Sequence, residues 1–388
     1  MAIEDRTRRL LALAPGDPMD VRTFSGLSRR LLTELAAQDV DVLPRATRLL
    51  RPSDVLTAPN WRGFARGQLR GRRAPRIDPD WYWSRAGYER FTQRVLRVAS
   101  ASEASAVLQV GTHVGAHRLG LPTYCITDAT VTQAVAADSF SVSRGRSRTV
   151  AEAIEVQREV FHGCRVVLVL SEWAAASVRD DYGVPTERVV VVGAGTNVPP
   201  GATPVPAGDR DRRILFVGLD WEQKGGPLVL DALRIVRRRV PDAELTVVGC
   251  TPDVHEEGVR VVGRLDPRDP ATPGTLADLY GRARAFTIAP AFDAFPNVLL
   301  EAAARGSVLV STDRGSRGEV VRDGVTGLLA PHGDPGALAD RLVAVLTDDD
   351  LATRLSTNAR ELVVTRMTWP VVAGRVLSAL GWRTETSS

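Results

Sequence analysis

The chain has 388 residues, more than one hydrophobic core usually supports, so we expect two domains. Hydrophobic residues make up 44% of it and charged residues 25%, values typical of a soluble globular protein, which excludes a disordered or fibrous protein. The apolar runs are far shorter than the roughly 20 residues that a membrane-spanning helix needs. Acidic residues follow Met1 before any apolar run, so a cleaved signal peptide is not expected.

Cysteine and lysine usage are both informative. The three cysteines, Cys125, Cys164 and Cys250, have no short pairing spacing, which indicates free thiols in a reducing compartment and predicts a cytoplasmic protein. The net charge is +4, and Lys224 is the one lysine among 50 basic residues. A coding bias towards arginine is the ordinary cause. The position where lysine remains is therefore a candidate for a specific role.

Short apolar runs alternate with helical patterns in the first half of the chain. Leucines recur at helical spacing over Ser25–Gln38, after a predicted strand at Arg9–Ala14. The further predicted strands are Ala106–Val110, Tyr124–Thr127, Val166–Leu170 and Val189–Val192, and the further predicted helices are Tyr88–Ser100, Thr149–Phe161 and Glu172–Tyr182. The strands lack strict alternation, as buried parallel strands do. This order predicts a parallel sheet with helices on both faces.

A Pro/Gly-rich segment, residues 199–211, precedes a second series of the same kind. Its predicted strands are Ile214–Val217, Leu245–Val248, Arg260–Val262, Ala285–Ala289 and Val308–Val310, and its predicted helices are Pro227–Val240, Leu276–Arg284, Asn297–Arg305 and Pro335–Leu346. We therefore predict two doubly wound, Rossmann-like α/β domains, 1–198 and 212–365, joined by this linker. Residues 366–388, with a helix near Trp369–Leu380, are expected to cross back to the first domain. Ligands of such sheets bind at the carboxyl ends of the strands, so the expected site is a cleft between the domains.

The segment from Ala291 to Glu301 follows a predicted strand and opens a helix. Asn297 is a good N-cap residue and Gly306 a plausible stop. A helix N-terminus at a strand's carboxyl end offers N–H groups to an anion such as a diphosphate. Glu301, one turn on, could accept hydrogen bonds from the vicinal hydroxyls of a ribose, and Asp293 would lie nearer to a sugar. The alternative is that both acids only favour the positive end of the helix dipole.

A second segment, Phe216–Gly226, runs from a predicted strand through a glycine-containing loop into a helix with Pro227 in its first turn. Lysine is a compact charge that suits a phosphate oxygen, so Lys224 is a candidate phosphate ligand. The alternative is a chance lysine on a surface loop. A weaker third feature is Ser25-Gly26, which could bring backbone close to a ligand or be only a turn and a helix cap.

Other patterns leave alternatives open. His113 and His117 are four residues apart but lack a metal-site partner motif, and Asp78-Pro-Asp80 does not follow a strand, so we predict no metal site. The basic stretch Arg62–Arg76, with Trp61 and Phe64 interleaved, could contact an anionic membrane or acceptor, or be a solvated loop. Aromatic residues are only 5% of the chain, and no nucleic-acid partner is expected.

Taken together, these segments resemble the family 4 glycosyltransferases of GT-B fold. The family's acidic-x7-acidic signature is similar to Asp293…Glu301, and its strand-Gly-x-Lys-Gly segment is similar to residues 216–226. The stretch from Ser171 to Asn197 resembles the end of the family's first domain, and Glu319–Leu329 resembles the stretch after the signature helix.

The resemblance implies a retaining, metal-independent transferase that needs no cofactor. It would take a nucleotide-diphosphate sugar in the second domain and an acceptor of undetermined kind, saccharide, lipid-linked or small molecule, in the first. The implied catalytic residues are Asp293, Lys224, Glu301 and Asp128. The implied donor-binding residues are Gly26, Gly218, Lys224, Phe295, Pro296, Asn297, Val298 and Glu301.

The chain departs from the family pattern at three positions. Leu219 stands where the family usually has an arginine after the strand glycine, so one phosphate-binding cation is missing. Asp128 stands in place of a first-domain histidine, and the first signature acid is aspartate rather than the commoner glutamate. A non-catalytic sugar-nucleotide or carbohydrate-binding protein of the same fold is therefore the main alternative, and a sugar-nucleotide epimerase of related fold is a second one.

Overall fold

The computed structural model describes residues 8–21, 23–47, 79–99, 103–139, 147–201, 205–266, 269 and 271–382. The chain forms two compact units, one of Met1–Val192 with Ala373–Ser388 and one of Gly193–Val372. Each unit contains a six-stranded sheet whose described strand pairs are parallel. The predicted doubly wound α/β fold class is confirmed. The basic stretch 62–76 and Asp78 lie outside the described residues.

The sheet of the first unit has the strand order β2-β1-β3-β4-β5-β6. Its strands are Arg9–Ala14 (β1), Asp41–Ala46 (β2), Ala106–Val110 (β3), Thr123–Thr127 (β4), Val166–Val169 (β5) and Val189–Val191 (β6). The described helices are Leu27–Ala37 (α1), Pro79–Tyr82 (α2), Arg85–Ala99 (α3), Val131–Ala136 (α4), Ser147–Gly163 (α5) and Glu172–Asp180 (α6). Most strand residues are buried, because helices cover the sheet.

A charged cluster lies between helices α3 and α5 of the first unit. The Glu159 carboxylate accepts hydrogen bonds from the Tyr88 hydroxyl at 2.8 Å and from Arg85 and Arg118. Burial raises the pKa of Glu159, but these three donors lower it more, and the net pKa is about 2. Glu159 therefore stays ionised at neutral pH within a satisfied network.

The sheet of the second unit has the order β12-β11-β10-β7-β8-β9. Its strands are Arg213–Val217 (β7), Glu244–Val248 (β8), Val259–Gly263 (β9), Ala285–Ile288 (β10), Val308–Thr312 (β11) and Gly327–Ala330 (β12). The described helices are Gly226–Arg239 (α7), Thr272–Arg282 (α8), Asn297–Ala304 (α9), Pro335–Thr347 (α10) and Asp349–Arg366 (α11). A last helix, Trp369–Leu380 (α12), begins in this unit, and its residues from Ala373 on group with the first unit.

The Pro/Gly-rich segment enters the second unit through a buried arginine. The Arg210 guanidinium donates to the carbonyl oxygens of Val205, Tyr280, Ala283 and Arg305, at 2.8–3.4 Å. Burial lowers its pKa to about 10, so it remains charged at neutral pH. Because every N–H of this guanidinium has a carbonyl acceptor, Arg210 ties the segment to helix α8 and to the end of α9.

The sequence prediction missed two strands, β2 and β12, which both lie at an edge of their sheet. Strand β2 contains Pro44 and two charged residues, and its residues are exposed or half-buried. An edge strand pairs on one side only and needs no continuous apolar run, so its pattern resembles a loop. Among the described helices, none is long and apolar enough to cross a membrane.

Candidate functional site

The loop between strand β7 and helix α7 presents Lys224. The Asp220 carboxylate accepts a hydrogen bond from the Gln223 N–H at 2.9 Å, and the Lys224 N–H donates to the Asp220 carbonyl at 3.1 Å, which closes a turn. Gly225 ends the loop with φ +74°, and a Cβ there would lie 2.0 Å from the Ala289 carbonyl oxygen. Only glycine fits this close approach of the loop to the end of strand β10.

Gly218 gives Lys224 its path across the end of strand β7. A Cβ on Gly218 would lie 2.7 Å from the Lys224 Cγ, so the lysine side chain runs directly over this glycine. The Lys224 ammonium donates to Asp293 Oδ2, forming an ion pair between residues 69 positions apart in the chain. The Asp293 side chain is 10% exposed and that of Lys224 is 28% exposed. The structure thus brings together two residues that the sequence predicted separately, in a contact that the sequence did not indicate.

Helix α9 begins where the sequence predicted, but its cap differs. Pro296 is the N-cap and Asn297 is the first helical residue, so the expected capping by the Asn297 side chain is wrong. Proline supplies no capping side chain, and the Asn297 N–H donates to the Phe295 carbonyl at 3.0 Å instead. The Asn297 Oδ1 is buried and has no hydrogen-bond partner among the described residues. Phe295 is buried beneath this turn, and Val298 is half-buried.

Glu301 lies one turn into helix α9 and is 8% exposed. Its Oε2 accepts a hydrogen bond of 2.9 Å from the hydroxyl of Tyr280, a fully buried residue near the end of helix α8. This tyrosine was not foreseen from the sequence. A tyrosine 21 residues before a signature acid gives no local signal, because helix packing alone brings the two groups together.

Arg317 is a second residue that sequence reasoning missed. It follows strand β11 in a 3₁₀ turn, Gly315–Glu319, and is fully buried. Its Nε donates to the Thr312 carbonyl at 2.7 Å, while both terminal amino groups are buried without a hydrogen-bond partner among the described residues. Burial lowers the pKa of Arg317 to about 10, an effect opposed by the charges of Asp293 and Asp313. Arg317 is thus a buried cation in the electrostatic neighbourhood of Asp293.

Two predicted site residues lie in the first unit. Gly26 has φ +79° and is the N-cap of helix α1, which starts at Leu27 rather than at Ser25, because Phe24 and Ser25 also have left-handed backbone angles. Asp128 directly follows strand β4 and is half-buried. Gly26 and Asp128 belong to the first unit, and Lys224 and Asp293 belong to the second.

The two histidines weighed as a metal pair have separate surroundings. His113 Nε2 lies 2.5 Å from the Thr47 hydroxyl, and its ring stacks on Tyr82 with centroids 6.1 Å apart. His117 Nε2 lies 3.9 Å from Glu159. Within the described ranges, no three histidine, cysteine or acidic side chains are arranged to hold a metal ion. Metal independence stays a prediction.

Leu219, at the position of the family's arginine, is 70% exposed.

Comparison with known proteins places these features in a family context. Residues 211–348 match the family model described as Glycosyl transferases group 1. Phosphatidyl-myo-inositol mannosyltransferase of Mycobacterium leprae is 34% identical over 177 residues, 43% of this chain and 45% of that protein. The chain thus spans about half the length of the first curated relatives it matches. The matched region contains Lys224, Asp293 and Glu301.

Solved structures show the same architecture over nearly the whole chain. Sucrose-phosphate synthase of Thermosynechococcus elongatus superposes with a TM-score of 0.69 at 20% identity, covering 96% of this chain and 99% of that one. HepE of Anabaena, in complex with UDP and glucose, superposes with a TM-score of 0.64 at 14% identity, covering 96% and 99%. The comparisons confirm that this chain has the GT-B fold and resembles the family 4-like glycosyltransferases, with its match to the group 1 family in residues 211–348.

Proposed function

We propose that the protein is a glycosyltransferase that moves a sugar from a nucleotide-diphosphate sugar to an acceptor with retention of anomeric configuration. One observation carries the proposal: the Lys224–Asp293 ion pair, the N-terminus of helix α9 and the buried carboxylate of Glu301 occur together at the carboxyl edge of the second sheet. This is the edge at which doubly wound sheets bind ligands. The family match over residues 211–348 and the UDP and glucose bound by HepE support it.

Lys224 and helix α9 supply positive charge without a metal ion. As the bond between sugar and diphosphate breaks, negative charge grows on the leaving diphosphate. The Lys224 ammonium, which pairs with Asp293, would also donate to a phosphate oxygen, and the positive end of the helix dipole would face the same group. Fixed positive groups of this kind stabilise the developing charge.

The two signature acids have separate roles in the proposal. Asp293, in the loop that leads from strand β10 to helix α9, would contact the transferred sugar, and Glu301 would accept hydrogen bonds from the ribose. Gly26 and Asp128 of the first unit remain predicted site residues with no test in the geometry. Asp128→Asn tests Asp128 directly, since it removes the charge and keeps the size of the side chain, and a loss of turnover is expected.

One observation favours the alternative of a non-catalytic sugar-nucleotide-binding protein. Leu219 is 70% exposed and carries no charge at the position where the family usually has a phosphate-binding arginine. That alternative would be supported if the protein bound a donor but turned over none of the donors offered, because the ribose and phosphate contacts would then persist without the chemistry.

We propose a cytoplasmic location, and an acceptor that is a saccharide, a lipid-linked molecule or a small molecule. Cys125, Cys164 and Cys250 are free thiols, which supports a reducing compartment such as the cytoplasm. The predicted contact of residues 62–76 with an anionic membrane is tested by sedimentation with anionic and neutral liposomes at low salt. Equal sedimentation with both would remove the membrane from the proposal.

The proposed activity is tested with UDP-, GDP-, ADP- and dTDP-sugars. Charge-assisted hydrogen bonds contribute about 1.5–3 kcal/mol, so Lys224→Ala should lower kcat/KM for the true donor roughly tenfold to more than a hundredfold. Asp293→Asn should mainly lower kcat, and Glu301→Gln should mainly raise the donor KM. The matched control is Arg238→Ala, which removes an exposed cation from helix α7 and should change kcat/KM less than about twofold. Unchanged activity of Lys224→Ala would contradict the diphosphate assignment.

A further inference from the structure

Tyr280, which donates a hydrogen bond to Glu301, is itself fixed by packing and by hydrogen bonds. Its carbonyl oxygen accepts hydrogen bonds from the Ser307 hydroxyl at 2.7 Å and from Arg210 at 3.4 Å. Its ring lies against Phe286 of strand β10, with ring centroids 5.7 Å apart. The residue is fully buried, so its hydroxyl has one fixed direction, towards Glu301 Oε2 at 2.9 Å.

The tyrosine is a permanent donor in this pair. Burial raises the pKa of Tyr280 well above its ordinary value, and the neighbouring Glu301 carboxylate raises it further. The proton therefore stays on the hydroxyl, and the carboxylate accepts. A carboxylate has about four acceptor positions, so the bond from Tyr280 restricts the orientation of the group while using only one of them.

We propose that Tyr280 is a positioning residue that orients Glu301 to bind the ribose hydroxyls of the donor, so that the site selects ribonucleoside over 2′-deoxyribonucleoside diphosphates. This inference rests on the proposed function, because it takes Glu301 as the ribose ligand. A carboxylate whose plane is fixed can accept from two vicinal hydroxyls at once, whereas a freely rotating one must be ordered on each binding event. Preorganisation of this kind increases affinity by lowering the entropy lost on binding.

A purely structural role of the hydrogen bond would give a different result. If the bond only satisfies a buried hydroxyl, its loss lowers the stability of the protein but leaves the preference for ribose unchanged. If it orients Glu301, its loss reduces the preference itself. The informative quantity is therefore the ratio of two dissociation constants, for a 2′-deoxyribonucleoside diphosphate and for its ribose counterpart.

The experiment measures this ratio by titration calorimetry in wild type, Tyr280→Phe and Glu301→Asp. The probe is whichever of UDP, GDP and ADP binds wild type most tightly, together with its 2′-deoxy analogue. A hydrogen bond to a charged group corresponds to roughly a 10- to 100-fold ratio, which we expect in wild type. We expect the ratio to fall to about threefold or less in Tyr280→Phe. Glu301→Asp, which keeps Tyr280 but is too short to reach both partners, should lose the preference too.

The control is Tyr124→Phe, which removes another buried hydroxyl, one that donates to the Leu380 carbonyl at 3.4 Å in the first unit. Its ratio should equal that of wild type. A wild-type ratio in Tyr280→Phe would overturn the role of Tyr280, and a wild-type ratio in Glu301→Asp would overturn Glu301 as the ribose ligand on which the inference rests. Absence of binding of all three ribonucleoside diphosphates to wild type would instead overturn the proposed function, so the two failures are distinguishable.

Discussion

Two buried arginines of the second unit, Arg210 and Arg317, carry the same charge but differ in how many of their N–H groups have hydrogen-bond acceptors. Both lie inside the protein, and burial lowers the pKa of each to about 10. Every N–H of Arg210 donates to a backbone carbonyl, whereas only the Nε of Arg317 does so among the described residues. A buried cation whose hydrogen bonds are complete stabilises the fold. One with unmet donors beside an acidic site residue is a candidate for function.

The location of the two arginines agrees with this difference. Arg210 precedes strand β7 and so lies at the amino edge of the second sheet, while Arg317 follows strand β11 at the carboxyl edge. The carboxyl edge also presents Lys224 and Asp293. The number of hydrogen-bond partners therefore distinguishes two arginines that burial alone does not distinguish.

The largest expected effect is the loss of stability in Arg210→Met. The substitution leaves the carbonyl oxygens of Val205, Ala283 and Arg305 without this donor, and we expect a loss of about 3–5 kcal/mol in the free energy of unfolding. Urea denaturation measures it. The control is Arg212→Met, which removes a half-exposed guanidinium paired with Asp242 and should cost less than about 1 kcal/mol. Equal losses of stability in both variants would contradict the structural role of Arg210.

Arg317→Met should have the opposite profile. Methionine fills much of the same space without buried, unmet donors, so we expect the free energy of unfolding to stay within about 1 kcal/mol of wild type. Removing a buried positive charge that interacts electrostatically with Asp293 should lower donor turnover, by roughly tenfold for a loss of about 1.4 kcal/mol. The control is Arg314→Met, in the same loop but exposed, whose charge is screened by solvent. A large loss of stability with normal turnover would assign Arg317 a structural role instead.

The smallest expected effect is the pH-dependent stabilisation of the first unit by the hydrogen-bonded network of Glu159. The pKa of Glu159 in the folded protein is about 2, below the ordinary 4.5, so its network stabilises the protein above about pH 4.5. That contribution is lost as the pH falls from about 4.5 towards 2. Wild type should therefore exceed Glu159→Gln in stability at neutral pH, and the difference should shrink through this range. Glu155→Gln, on the exposed side of the same helix, is the control. A difference in stability between wild type and Glu159→Gln that does not change with pH would contradict the stabilisation by the ionised Glu159 carboxylate.

Much of the fold was predictable from the sequence, since buried parallel strands are short apolar runs. The pattern of β1, β3 and β10 gave their positions directly, and Gly225 with Pro227 indicated the start of helix α7. Pairing of β7 with β10 then brought the loops after them together. The edge strand β2 escaped because a strand paired on one side needs little apolar character.

The candidate site was predictable only in part. Lys224 and Asp293 stood out by residue type and by their place in loops after strands, and Glu301 by its place one turn into the helix that follows. Their partners did not, because the Lys224–Asp293 pair and the Tyr280–Glu301 bond join residues far apart in the chain. Asn297 shows the limit of local rules, since a good capping residue is displaced by the proline before it. Arg317 lies in a Gly-Ser-Arg-Gly turn with no recognisable pattern.

We propose that the second unit binds a nucleoside diphosphate through Lys224 without a metal ion. The most direct measurement is titration calorimetry of UDP, GDP and ADP with wild type and Lys224→Ala, both in excess EDTA. We expect at least one of the three to bind wild type in EDTA and to bind Lys224→Ala about tenfold or more weakly. Binding that appears only when Mg²⁺ is added, or equal affinity in both proteins, would contradict it.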